Sequence, residues 1–320
     1  MASTITELVI KGTSIYYGGS LSAKSKEKFN VIGSRYATLE AFKLANVEVF
    51  NNFKTEEGEP CFKPLTEKES TAITRLKEKL NDSLSIEENF IILLTEDFIN
   101  KQINMLDSID IDTLNANPIL CRALKLNTPE EFVKYYAYAA ISRSIVTSMG
   151  YFVQDLLLYS NESVYDGKLY AEGNKTKWDI VIDKLGSVRK YIEIKSGPND
   201  MDAAQVKHYS EEIELIERKK HKAFIGITYG KKDIKSVSTS ILETYLPNWK
   251  DKTLIGKELW DYISGNENFH NILMETIQNT AVAFLGEDSL ISKIDNKINE
   301  LVEILNTKYQ NMDEFYNSLW

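Results

Sequence analysis

The sequence predicts an α/β fold built on a mixed central sheet flanked by helices, and three neighbouring stretches predict it. Residues 178–182 (WDIVI) and 191–194 (YIEI) are apolar runs separated by the polar, glycine-containing stretch 183–187, the pattern of a β-hairpin. After a turn at 196–200 that ends in residues suited to a helix N-cap, Ala203, Val206, Ile213 and Ile216 recur at helical spacing. Residues 223–229 (AFIGITY) then form the short apolar run of a buried strand. Hairpin, crossover helix and strand together make a sheet with antiparallel and parallel neighbours.

The hairpin carries the chemistry. Period-two geometry puts Glu193 and Lys195 on one face of their strand and Ile192 and Ile194 on the other. Pairing across the turn can bring Asp179 to the face of Glu193 and Lys195. Two adjacent carboxylates repel unless something cationic sits between them, and a hard divalent ion such as Mg²⁺ is the usual solution. An ammonium group beside them can orient or deprotonate a water molecule. The alternative is an ordinary hairpin with its charges solvated.

Asp179, thirteen intervening residues and Glu193-Ile194-Lys195 resemble the D…ExK signature of PD-(D/E)xK nucleases, with Trp178 where the signature has proline. The continuation Ile194-Lys195-Ser196-Gly197-Pro198-Asn199, with Gln205 beyond it, resembles the TdeIII-type Type II restriction endonucleases. Residues 255–265 (IGKELWDYISG) resemble an element that follows the core in restriction enzymes cutting interrupted GG/CC sites. The resemblance covers roughly residues 130–285. It implies a restriction-endonuclease-like sheet and Mg²⁺-dependent cleavage of both strands of duplex DNA at a short GGNCC-like site, leaving 5′-phosphate and 3′-hydroxyl ends. It further implies that Asp179, Glu193 and the Ile194 carbonyl hold the metal while Lys195 handles the attacking water. In such enzymes a helix before the hairpin often adds a carboxylate; position 154 is Gln, which leaves Asp155 as the candidate. Ser196, Asn199, Gln205, Lys207, Lys231, Lys232, Lys235 and Lys24 are candidate DNA contacts. A homodimer and a cognate DNA methyltransferase follow from the same resemblance. The alternatives are a structure-specific repair or junction nuclease, and a DNA-binding module that does not cleave.

Bulk properties are compatible with this reading and exclude others. The chain has 320 residues, 43% hydrophobic and 27% charged, enough to bury a sizeable core. Its formal net charge of −9 argues against indiscriminate polyanion binding. Residues 168–235 nevertheless hold 15 Lys or Arg against 11 Asp or Glu, so cations gather where DNA would be gripped. No apolar run is long enough for a membrane span and no secretory signal is visible, so a cytoplasmic protein is expected. Cys61 and Cys121 read as free thiols, and His208, His221 and His270 lack metal-ligand spacing. Nucleotide-binding and hydrolase-triad motifs are absent.

Around the core the chain reads as a mostly helical region at 1–127, the nuclease core at 128–265 and a helical region at 266–320. Short strands are expected at 8–10 and 14–17, a flexible basic loop at 18–26, and helices at 38–51 and 66–81. The acids between 107 and 112 read as a surface loop. Thr128-Pro129-Glu130-Glu131 opens a long helix running to 149 or 158, with Phe132, Tyr135, Tyr136, Ala139, Ile145 and Val146 as its apolar face. Helices at 256–264 and 268–284 follow. The stripe Leu290, Ile294, Ile298, Leu301, Ile304 and Leu305 packs either on the core or against another subunit.

Overall fold

The computed structural model describes residues 13–15, 62–64, 81, 83–112, 114, 116–161, 163–167, 178–184 and 186–320. The expected strand at 8–10, the loop at 18–26 with Lys24, the helix at 38–51 and all but the last residue of the helix at 66–81 lie outside them. In chain order the elements are β1 (Thr13–Ile15), β2 (Phe62–Pro64), α1 (Ile86–Asp107), α2 (Pro118–Ala123), α3 (Pro129–Tyr159), β3 (Val164–Asp166), β4 (Ile180–Ile182) and β5 (Lys190–Lys195). They continue with α4 (Ala203–Arg218), β6 (Lys222–Ile227), α5 (Val237–Tyr245), β7 (Thr253–Ile255), α6 (Lys257–Ser264), α7 (Phe269–Leu285), α8 (Leu290–Lys308) and α9 (Met312–Asn317). No described helix is long and apolar enough to cross a membrane.

The chain divides into two compact units, Met1–Ile91 with Val153–Met274, and Ile92–Phe152 with Glu275–Trp320. Each is drawn from two separate stretches, so they do not coincide with the consecutive regions 1–127, 128–265 and 266–320.

The first unit holds the antiparallel pair β1–β2 and a five-stranded sheet in the order β3-β4-β5-β6-β7. Strand β4 runs antiparallel to both of its neighbours, β3 and β5, and β5, β6 and β7 run parallel. The mixed α/β architecture expected from the sequence is therefore the one observed. Registers of Ile180 with Ile192, and of Ile192 and Ile194 with Phe224 and Gly226, place these residues on one face. Leu259 of α6 packs there against Gly226, and Tyr262 lies edge-on to Phe224. On the opposite face lie Tyr191, Glu193 and Lys195 with Ala223, Ile225 and Ile227, and α4 covers them. Val206 and Ile213, one helical face of α4, are fully buried.

Local chemistry fixes these elements. Asp202 caps α4, accepting from Gln205 N at 2.8 Å while its own N–H donates to the Gln205 side chain, a reciprocal capping box. Gly186, at φ 78°, lets the β4–β5 turn close. Inside that turn the buried Asp183 carboxylate meets Arg189 Nε at 3.2 Å, and Arg189 Nη1 donates to Tyr191 OH at 3.1 Å.

The second unit is helical. Its core joins Phe132, Val133, Ala137 and Ile141 of α3 to Ile294, Ile298, Leu301 and Leu305 of α8 and to Phe315 and Tyr316 of α9. Phe132 and Phe315 meet edge to face at 4.8 Å, and the Tyr316 hydroxyl donates to the Leu126 carbonyl. The α8 stripe thus packs on this core, with Ile304 left 40% exposed. The face expected for α3 needs correction: Val133, Ala137 and Ile141 are buried, whereas Tyr135, Ala139 and Val146 face out. Around 107–112 the acids point outward while Ile109 and Ile111 turn into the core.

Gly256 joins β7 to α6 at φ 60°, ψ −128°, and a Cβ there would lie 2.5 Å from the Gly230 carbonyl oxygen. Both the backbone region and the contact exclude a side chain. Gly256→Ala is expected to lower unfolding free energy by about 2 kcal/mol or more, read from a denaturant melt of the full chain.

Candidate active site

The β4–β5 ladder stops at Ile180 opposite Ile192, one residue pair short of where Asp179 and Glu193 would face each other. Beyond that point the Ile194 N–H donates to Asp179 Oδ2 at 2.8 Å instead of to a main-chain carbonyl. Asp179 is thereby fixed at the end of the ladder on the face shared by Glu193 and Lys195. Its backbone is held from the other side by β3: Gly167 N donates to Asp179 O at 3.0 Å. A Cβ at Gly167 would fall 1.8 Å from Trp178 O, so this approach requires glycine.

The sequence-predicted trio converges. Lys195 Nζ lies 2.8 Å from Glu193 Oε1, and both side chains are largely buried. Burial pushes the Asp179 carboxyl up to about 7, with the nearby Glu193 charge as the second cause; the Ile194 N–H and Lys195 pull the other way. The Asp179 and Glu193 carboxyl groups thus stand close enough to raise each other's electrostatic cost. Two donors not assigned to the site from sequence complete the cluster. Gln154 Nε2, from α3, donates to Asp179 Oδ1 at 3.1 Å, and the Tyr209 hydroxyl, from α4, donates to Glu193 Oε1.

Tyr209 belongs to the sheet-facing stripe of α4, three residues after Val206 and four before Ile213, and that spacing was the available signal. Its ring tilts against the buried Trp178 at 6.1 Å and carries Lys195 Nζ 5.2 Å from its centroid. Burial and the bond to Glu193 push its hydroxyl pKa well up, so it stays a donor.

A divalent ion fits this donor set. Two hard oxygen donors are brought together with a net charge that burial makes unfavourable, and Mg²⁺ needs only one or two carboxylates because it keeps several waters. Among the described residues no group of three or more His, Cys, Asp or Glu could hold a metal, so Asp155 does not join Asp179 and Glu193 as a third acid. The helix delivers Gln154 to Asp179 instead.

The other candidates among the described residues are spread along one end of the sheet. Ser196 follows β5, where its carbonyl accepts from Thr228 Oγ1 at 2.6 Å, and Asn199 is exposed in the next turn. Gln205 is used in the α4 cap, and Lys207 Nζ lies 4.5 Å from the Tyr245 ring centroid. Lys231 and Lys235 are exposed. Lys232 bonds the Lys250 carbonyl and pairs with Glu258 at 2.7 Å, which takes it out of the free cations. A cleft of about 640 Å³ opens beside the carboxyl ends of β6 and β7, bordered by Lys231, Lys257, Trp260 and His270, but not by the acidic cluster.

A family model described as Type II restriction endonuclease EcoO109I matches residues 86–284, more than half of the chain. The chain belongs to that family. It is a nuclease that hydrolyses double-stranded DNA site-specifically, in a class of enzymes that uses divalent metals, and its mixed sheet flanked by helices is restriction-endonuclease-like. Among curated proteins, none gives a significant match.

The buried acid pair has a consequence for stability. Asp179→Asn keeps an acceptor for the Ile194 N–H and removes the repulsion from Glu193. In chelator its melting temperature is expected to exceed wild type by roughly 2–4 °C, about 1 kcal/mol, measured by calorimetry.

Proposed function

We propose that this endonuclease is a PD-(D/E)xK enzyme, of TdeIII-like type, in which Asp179, Glu193 and Lys195 form the hydrolytic centre with Mg²⁺. The observation that carries the reading is the meeting of the Asp179 and Glu193 carboxyl groups, with the Lys195 ammonium on Glu193, at one end of the sheet of a Type II restriction endonuclease family member. The Ile194 carbonyl is the further ligand in this proposal. N–H and C=O of one strand residue point to the same side, and the Ile194 N–H already reaches Asp179.

When bound, the ion would acidify water and neutralise charge on the scissile phosphate. The chain's own residues do the rest. Asp179 and Glu193 hold their oxygens in place through the donors that reach them from β5, α3 and α4. Lys195 orients the attacking water and assists the loss of its proton. The water oxygen bonds to phosphorus as the bond to the 3′ oxygen breaks, and that oxygen takes up a proton, which leaves 5′-phosphate and 3′-hydroxyl ends. Ser196, Asn199, Gln205, Lys207, Lys231, Lys235 and Lys24 are the proposed DNA contacts; Lys232, paired with Glu258, is left out of them.

Recognition of a short interrupted palindrome of the GGNCC kind fits the likeness of residues 255–265 to enzymes that cut such sites. Cutting both strands of a two-fold site calls for two such centres, hence a homodimer. A cognate methyltransferase would protect the host DNA, in the cytoplasm where that DNA lies.

Plasmid DNA incubated with the full chain and Mg²⁺ is expected to give discrete fragments. Asp179→Ala, Glu193→Ala and Lys195→Ala should each reduce cleavage by about 10³-fold or more while sequence-specific binding in Ca²⁺ persists. An active Lys195→Ala protein, or cutting confined to branched DNA, would overturn the proposal.

A further inference from the structure

We propose that Tyr209 is a positioning residue for DNA hydrolysis, setting both the orientation of the Glu193 carboxylate and the place of the Lys195 ammonium. The inference rests on the reading of Asp179, Glu193 and Lys195 as the hydrolytic centre. Glu193 Oε1 accepts from Lys195 Nζ and from the Tyr209 hydroxyl. A carboxylate oxygen has two lone pairs in its plane, so these donors fill Oε1. The acceptor capacity left on Glu193 lies on Oε2, the oxygen available to Asp179 and to a cation. Without the hydroxyl, Lys195 alone would orient the carboxylate, and rotation about its last side-chain bond would exchange the two oxygens.

The same ring constrains the ammonium. Lys195 Nζ sits 5.2 Å from the Tyr209 ring centroid while bonded to Glu193, so it is held from two directions by one side chain and the acid that side chain orients. The ring is itself seated, tilted against Trp178 at 6.1 Å and carried by α4 between the buried Val206 and Ile213. Tyr209 reaches neither Asp179 nor any described DNA-contact candidate by a hydrogen bond, so its expected effect is confined to Glu193 and Lys195.

Tyr209→Phe removes the hydroxyl and keeps the ring and its packing. The test uses the full chain with Mn²⁺ as probe, its free concentration followed by electron paramagnetic resonance without DNA, alongside steady-state cleavage of a cognate duplex. Wild type and Glu193→Gln serve as references. The expected result is a wild-type circular dichroism spectrum, Mn²⁺ binding weakened about tenfold, and kcat reduced by about tenfold at an unchanged KM for DNA. If Tyr209→Phe matches wild type in Mn²⁺ binding and kcat while Glu193→Gln loses the ion, the role of Tyr209 is overturned and the carboxylate centre stands. A change in KM alone would also overturn it, because that marks a DNA contact. If Glu193→Gln binds Mn²⁺ as tightly as wild type, the carboxylate centre falls and the inference falls with it.

Discussion

The bond from the Ile194 N–H to the Asp179 carboxylate is the contact on which the site's arrangement depends. It replaces the next rung of the β4–β5 ladder with a side chain, and in doing so ends the hairpin at the point where its chemistry begins. Had the ladder continued, Asp179 would be another cross-strand residue with a free side chain. Instead its carboxylate is built into the edge of the sheet and brought against Glu193, which period-two geometry has already placed on that face. Everything else in the cluster compensates for this juxtaposition. Gln154 satisfies the second Asp179 oxygen, Lys195 supplies the opposing charge, and Tyr209 completes Oε1 of Glu193.

The surrounding unit supports that strained electrostatic arrangement with ordinary packing. One sheet face is closed by α6 at Gly226, where the missing Cβ admits Leu259, and the other by α4. At the far end of the hairpin the Asp183–Arg189 pair ties the turn, with Arg189 also bonded to Tyr191 on the same strand as Glu193. Breaking a buried pair of this kind leaves an uncompensated charge, which is far more costly than its net contribution when intact. The hairpin therefore has a paired ionic end, at Asp183 and Arg189, and an end where two acids meet.

How much of this was legible in the sequence follows from the range of each interaction. The hairpin and the shared face of Glu193 and Lys195 were legible because they follow from alternation over a few residues and a glycine turn. Asp179 could be placed with them by register, although Trp178 and Asp179 precede β4 instead of belonging to it. Strands β3 and β7 escaped notice because three residues give no periodic signal by themselves, whereas the equally short β4 was marked by its hairpin partner across the 183–187 turn. The buried side of α3 was misread because that helix carries tyrosine and alanine around most of its circumference, and tertiary partners choose the face. Gln154 was noted only as the lack of an acid, when its amide is a donor to Asp179. Tyr209 lay on a stripe that could be read, but its bond to Glu193 depends on how α4 sits on the sheet, which no local pattern encodes.

The same logic explains how an acidic chain can act on a polyanion. The net charge of −9 is summed over the whole molecule, whereas in the proposed reading DNA meets only the groups at one end of one sheet. Of the lysines near that end, Lys232 is held by Glu258 and Lys195 by Glu193, so their charge shapes the protein before it meets a phosphate. Lys231 and Lys235 remain exposed on the loop after β6. A surface with few uncommitted cations beside two buried acids that share one lysine binds duplex DNA weakly on charge alone. A divalent ion, by neutralising those acids, would change the sign of the field where the scissile phosphate must lie. On the proposed reading, electrostatics would favour productive binding once the ion is present, which is a physical reason for a nuclease of this composition to keep its carboxylates close and buried.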